Sequence, residues 1–90
     1  MPWQPVRKRR KKVSNVTIEL KYPTDKGLTQ IILRRPKVRD MIASDKSKGT
    51  DADKEVALFA NLAELSPDEI ASLDMADYKQ LQDAYKDFLS

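Results

Sequence analysis

Apolar positions alternate along the first half of the chain and follow helical spacing along the second half. The segment NVTIELKYP has an apolar residue at every second position, which is typical of a strand with one buried face. The segment LTQIILRR indicates a return strand, and Gly27 in the turn between them can adopt the positive φ of a bulged hairpin loop. We predict a β-hairpin over residues 15–35. The apolar face of the first strand comprises Val16, Ile18, Leu20 and Tyr22. The return strand has Ile31 and Leu33 on one face and Leu28 and Ile32 on the other.

Four helices are predicted after the hairpin. Pro36 suits the first turn of a helix because its missing N–H would be unpaired there, and Val38, Met41 and Ile42 follow it at helical spacing. The segment DADKEVALFANLAEL is apolar around most of its circumference, so we expect this helix to be central. The predicted helices span residues 36–44, 52–64, 67–73 and 75–89.

Acidic residues define two helix starts within LSPDEIASLDMADYKQL. Ser66 and Glu69 have the spacing of a capping box, in which each side chain accepts a hydrogen bond from the other residue's backbone N–H. Asp74 is predicted to cap the last helix, with Asp77 as a near-equivalent of the capping-box acid. The fold class is therefore predicted to be α+β, with a hairpin packed against a small bundle of three to four helices in a single domain over residues 14–90.

Charge divides the chain into a basic and an acidic part. Residues 7–12, RKRRKK, are six consecutive cations, whereas residues 51–90 hold three Lys against ten Asp or Glu. Such a run repels itself, so we predict a disordered, mobile basic arm over residues 1–13. Two interpretations of the arm stay open: a solubilising segment, or attachment to nucleic acid or another anionic surface. The candidate anion-binding residues are Arg7, Lys8, Arg9, Arg10, Lys11 and Lys12.

The residue inventory argues against an enzyme. The chain contains neither Cys nor His. It therefore lacks the most frequent general base and metal ligand, which is His, and it has no Cys or His nucleophile. Neighbouring acids such as Asp51 with Asp53 stand where helices begin, and there they complement the helix dipole. We expect no catalytic residue, cofactor or metal. The longest apolar stretch is far shorter than the roughly 20 residues of a membrane span, so no membrane partner is expected.

Two segments, IILRRPKVRD and EVALFANLAELSPDEIASLDMADYKQLQDAYKDFL, together resemble the small tail assembly chaperone family of long-tailed bacteriophages, the type found in Mu-like and P2-like contractile-tailed phages. The resemblance runs from about Val16 to Leu89, and the basic N-terminal segment departs from the family pattern. The matching motif positions are Leu33 to Pro36, Leu65 to Asp68, Leu73, Asp74, Asp77 and Tyr78.

The resemblance implies a phage or prophage protein that binds the long, mostly helical tape measure protein. It would keep that protein soluble in the host bacterial cytoplasm before the tail tube polymerises, and would be missing from the mature virion. The resemblance also implies that a longer form of the chain can arise by ribosomal frameshifting and act as a further partner. The alternative function is a small nucleic-acid-binding protein that uses residues 7–12.

A chaperone of this kind could mask an apolar stripe of its partner through helix-in-groove contacts. Core packing is the competing interpretation for the aromatic and aliphatic candidates, and Tyr78 and Tyr85 are the best candidates for exposure. Arg34 and Arg35 could contact acidic partner residues, or they could simply end the strand with solvated charge. Residues 13–50, with eight Lys or Arg against four Asp or Glu, could also pair with the acidic residues 51–90 of another copy in a salt-sensitive self-association. The candidate partner-binding residues are Phe59, Leu62, Tyr78, Leu81, Tyr85, Phe88, Arg34 and Arg35.

Overall fold

The structure is a computed structural model, and it describes residues 15–90 of the chain. The predicted disordered arm over residues 1–13 lies outside this range. Within the described range a two-stranded antiparallel sheet precedes four helices, which confirms the α+β class and the hairpin-plus-helices architecture. The elements are β1 (Asn15–Glu19), β2 (Gln30–Arg34), α1 (Val38–Asp45), α2 (Asp51–Ala63), α3 (Pro67–Ala71) and α4 (Met75–Phe88).

The hairpin has the predicted alternation along its paired strands. Ile18 lies opposite Ile31 in the register, and both side chains are buried. Gly27 has a φ of 88° and donates its N–H to the carbonyl oxygen of Thr24 at 2.9 Å, which confirms the predicted turn. The placement of Tyr22 on the buried face was wrong, since its side chain is 57% exposed. The chain bends at residues 21–22, where strand alternation no longer determines which side chain is buried.

Helix α2 is central, as predicted: it contacts α1, α3 and β2, while α4 packs against β1. Because α2 is apolar over most of its circumference, it can bury side chains against several neighbours at once. The core joins one face of the hairpin to α2, α3 and α4. No helix in the described range is long and apolar enough to cross a membrane. The buried apolar residues are Ile18, Leu20, Ile31, Leu33, Phe59, Ala60, Leu62, Ile70, Leu81 and Phe88.

The helix starts agree with most of the predicted capping. Glu69 accepts from the Ser66 backbone N–H at 2.9 Å while the Ser66 hydroxyl accepts from the Glu69 N–H at 3.2 Å, so the capping box is confirmed. Asp74 caps α4 by accepting from the backbone N–H of Ala76 at 2.9 Å. The prediction that Pro36 lies in the first turn of α1 was wrong. The helix begins at Val38, because Lys37 has an extended backbone and serves as the N-cap.

Candidate partner-binding surfaces

Asp40 fixes the position of α1. Its carboxylate accepts two hydrogen bonds from the guanidinium of Arg34, at 2.7 and 2.9 Å, and one from the backbone N–H of Lys37 at 2.8 Å. The side-chain amide of Asn61 in α2 donates a fourth at 2.8 Å. The Arg34 hydrogen bonds, opposed by burial, lower the pKa of Asp40 to about 2. Asp40 is 2% exposed, so one buried carboxylate connects β2, α1 and α2.

This anchoring turns the apolar side of α1 toward solvent. Asp40 and the half-buried Ser44, one turn apart, lie on the side of the helix that packs inward. Val38, Met41 and Ile42 lie on the opposite side and are 70%, 54% and 48% exposed. We refer to these three residues as the α1 stripe. Their helical spacing correctly indicated a helix, but the polar side of that helix faces the protein.

Asp77 performs a different task from the one predicted. Its carboxylate accepts from the backbone N–H groups of Lys21 and Tyr22, each at 2.9 Å, and from the side-chain amide of Gln80 at 2.8 Å. It is fully buried and makes no capping-box contact with Asp74, so that prediction was wrong. Desolvation raises the pKa of Asp77, but the hydrogen bonds together outweigh it and the pKa is lowered. Asp77 thus joins α4 to the hairpin.

The two tyrosines of α4 surround Phe59. Their rings meet it edge to face, with centroid distances of 5.5 Å for Tyr78 and 5.9 Å for Tyr85. The Tyr78 hydroxyl donates a 2.6 Å hydrogen bond to the carboxylate of Glu55 in α2. Burial, together with this hydrogen bond to a carboxylate, raises the pKa of Tyr78. Both tyrosines are half-buried, so each combines a packing role with a limited exposed surface.

A shallow apolar groove runs across α2, α3 and α4. It consists of two adjoining depressions that share Val56 and Ala71. Met75, at the start of α4, is 75% exposed at one end. Asp53, Asp68 and Lys48 line the other end. We refer to the apolar lining as the α2–α4 groove: Val56, Ala57, Ala71, Leu73, Met75 and Tyr78.

The structure separates the predicted partner-binding residues into two groups. Phe59, Leu62, Leu81 and Phe88 are buried in the core, and their side chains present almost no surface in this conformation. Only Tyr78 lines the α2–α4 groove.

Arg34 and Arg35 also differ in their surroundings. Arg34 is held by Asp40, whereas Arg35 is exposed with its guanidinium carbon 5.8 Å from the centroid of the Phe88 ring. Partner binding by the predicted residues stays a prediction, as does anion binding by residues 7–12, which lie outside the described range.

Two surface features escaped the sequence interpretation. The α1 stripe was treated only as a sign of a helix, although Asp40 and Ser44 at four-residue spacing signal a polar face that could equally pack inward. Ala71 and Met75 join one surface only because two short turns bring α3 and α4 against α2. Within residues 15–90, no cluster of three acidic, His or Cys side chains could hold a metal ion.

A family model described as "Phage tail assembly chaperone proteins, E, or 41 or 14" matches residues 17–90. The match includes both buried carboxylates, the α1 stripe and the α2–α4 groove. Searches of curated proteins and of solved structures found no match.

Proposed function

The chain belongs to the phage tail assembly chaperone family, and on that premise we propose that it binds the tape measure protein and keeps this long helical chain soluble before the tail tube polymerises. Members of the family are assembly factors rather than enzymes. The proposed place of action is the cytoplasm of the host bacterium, and the protein would leave before the virion is complete. A longer, frameshifted form of the chain would take part in the same assembly step.

The α2–α4 groove is the observation that carries this proposal. Val56, Ala71 and Met75 offer apolar surface to a partner while the core beneath them is closed around Phe59 and Ile70. An open apolar surface of this kind suits one segment of an amphipathic helix, which would otherwise expose its stripe to water and aggregate. Binding there requires no unfolding of the chaperone.

A shallow groove also suits repeated weak binding. A specific, stable interface buries about 800 Å² on each partner, and this groove is short because α3 has only five residues. One copy would therefore bind one short helical segment weakly. Many copies along a long chain would together cover enough apolar surface to keep it soluble, and each could dissociate when the tube assembles.

Co-expression tests the proposal. The full-length protein is produced with a helical fragment of the tape measure protein from the same genome, and the soluble fraction and co-purification of the fragment are measured. Ala71→Glu places a charge in the middle of the groove, where it would be desolvated by a bound helix. Ala76→Glu makes the same change at an exposed position of α4 that does not line the groove.

We expect the fragment to remain soluble and to co-purify with the wild type and Ala76→Glu, and to be lost with Ala71→Glu. Circular dichroism confirms that both variants are folded. A fragment that precipitates in the presence of the wild type contradicts tape measure binding. Equal co-purification with both variants contradicts the assignment of the groove.

A further inference from the structure

The α1 stripe is a second apolar surface within residues 15–90, and the proposed function does not require it. Seven large hydrophobic side chains are exposed among residues 15–90, and three of them are Val38, Met41 and Ile42 within a single turn and a half of α1. The buried contacts of Asp40 with Arg34 and Asn61 prevent the helix from rolling this stripe inward. The exposure is therefore built into the fold.

The charges around the α1 stripe differ in sign from those at the α2–α4 groove. Lys37, Arg39 and Lys46 are exposed beside the stripe, against one exposed carboxylate, that of Asp45. The groove instead has two acidic residues and one lysine at its end. Opposite charges at the rim of an interface speed association and select partners, although each pair adds little affinity. The two surfaces should thus prefer partner segments of different charge.

From this arrangement we infer that the α1 stripe binds an amphipathic helix whose apolar side is flanked by acidic side chains. The inference rests on the proposed function, in which such helices belong to the tape measure protein, and it adds a second binding surface with a defined charge preference. The partner's apolar side chains would cover Met41 and Ile42, while its carboxylates would face Arg39 and Lys46.

Two other occupants are less suited to this surface. The chain's own residues 7–12 are six cations, which Lys37, Arg39 and Lys46 would repel. A second copy could present the acidic end of its groove, but that end also carries Lys48. An eight-residue helix is only about 12 Å long, so it supplies only part of the roughly 800 Å² that each partner buries in a stable interface. A long partner that engages many copies overcomes this limit through avidity.

The experiment uses the full-length protein and two designed helical peptides with identical apolar stripes, one flanked by Glu and one by Lys. Binding is followed by fluorescence anisotropy at low salt, where rim charges have most effect. Met41→Glu places a carboxylate in the stripe. Ala43→Glu introduces the same charge at an exposed position of α1 outside the stripe and serves as the matched control.

We expect Met41→Glu to weaken binding of the Glu-flanked peptide by about tenfold or more, equivalent to about 1.4 kcal/mol. Ala43→Glu should have a much smaller effect, and neither variant should alter binding of the Lys-flanked peptide. Equal effects of the two variants, or equal weakening of both peptides, would overturn the inference.

Sedimentation of the wild type and Met41→Glu tests the remaining occupant. Three results together would show that a second copy covers the stripe: the wild type self-associates, Met41→Glu is monomeric, and neither peptide binds the wild type. The inference would then be wrong. These readouts do not involve the tape measure protein, so the inference can fail while the proposed function stands. Conversely, suppose that the wild type binds the Glu-flanked peptide as expected but fails to co-purify with the tape measure fragment. That result would contradict the proposed function and leave the peptide preference of the α1 stripe standing.

Discussion

The guanidinium of Arg34 and the carboxylate of Asp40 form a paired contact, with Nη1 2.9 Å from Oδ2 and Nη2 2.7 Å from Oδ1. Arg34 belongs to the Leu-Arg-Arg-Pro segment that carries the family resemblance. Its neighbour Arg35 makes no such ion pair in the described range and is exposed. Adjacent arginines in one motif thus differ in role: the first orients α1 against the core, and the second contributes positive charge to the surface.

Asp40→Asn should lower the free energy of unfolding by about 2 kcal/mol, because it leaves the charge of Arg34 without its partner. We expect a smaller loss of stability than for a fully buried ion pair, because the Arg34 side chain is 29% exposed and water can partly solvate its charge. Urea denaturation measures it. Asp45→Asn, an exposed change on the same helix, should stay within about 0.5 kcal/mol. Equal effects of the two variants would contradict the role given to Asp40.

The same ion pair predicts a dependence of stability on pH. The pKa of Asp40 is about 2 in the folded protein, below the value of about 3.9 in an unfolded chain. The contribution of Asp40 to the free energy of unfolding is therefore complete at pH values above the pKa of the unfolded chain. It is lost as the pH falls through the pKa of the folded protein. The stability difference between the wild type and Asp40→Asn should be constant from pH 5 to 7 and should narrow toward pH 2. A difference that stays constant throughout would contradict this assignment.

Local patterns predicted the elements well and long-range contacts poorly, for a physical reason. Strand alternation and the Ser66 capping box depend on neighbours within a few residues, so the sequence shows them directly. Asp77 has the same spacing from Asp74 that a capping acid would have, yet its carboxylate binds backbone groups more than 50 residues away. No local pattern distinguishes these cases.

The candidate site shows the same limit. Helical spacing identified α1 but did not show which side of the helix faces the core. The buried polar network around Asp40 determines this orientation, and the network depends on a residue in α2 as well as on the local motif. Tyr78 was found because an amphipathic ring on a core-facing helix commonly reaches the surface, whereas Ala71 has no chemical feature that would identify it.

Asp77→Asn should reduce the melting temperature by roughly 10 °C. The Lys21 and Tyr22 backbone N–H groups bind different oxygens of the carboxylate, Oδ1 and Oδ2. Asn replaces one of these oxygens with an NH2 donor, so one of the two N–H groups would lose its acceptor. Asp83→Asn is the control, since its 55% exposed carboxylate contacts only Lys79 at 3.3 Å. Scanning calorimetry compares the two. A melting temperature for Asp77→Asn equal to that of the control would show that the hairpin does not depend on this carboxylate.

The two glycines provide a matched comparison of backbone strain. Both have positive φ, 88° at Gly27 and 111° at Gly49. A Cβ at Gly27 would meet nothing within 4 Å, whereas one at Gly49 would clash with the Asp53 carboxylate. That carboxylate accepts a hydrogen bond from the backbone N–H of Thr50, the N-cap of α2, at 2.9 Å. We expect Gly27→Ala to cost about 1 kcal/mol and Gly49→Ala about 2 kcal/mol or more, because the latter also disrupts a cap. Urea denaturation would refute this order if Gly27→Ala were the more destabilising change.

Tyr78→Phe separates the packing of this ring from the hydrogen bond of its hydroxyl. The substitution removes the contact with Glu55 and keeps the ring against Phe59 and in the α2–α4 groove. We expect the free energy of unfolding to fall by about 1–2 kcal/mol, while a folded variant still co-purifies with the tape measure fragment. Tyr22→Phe, at an exposed hydroxyl of the hairpin, should change neither property. Loss of the fragment by folded Tyr78→Phe would show that the hydroxyl, rather than the apolar ring, contacts the partner.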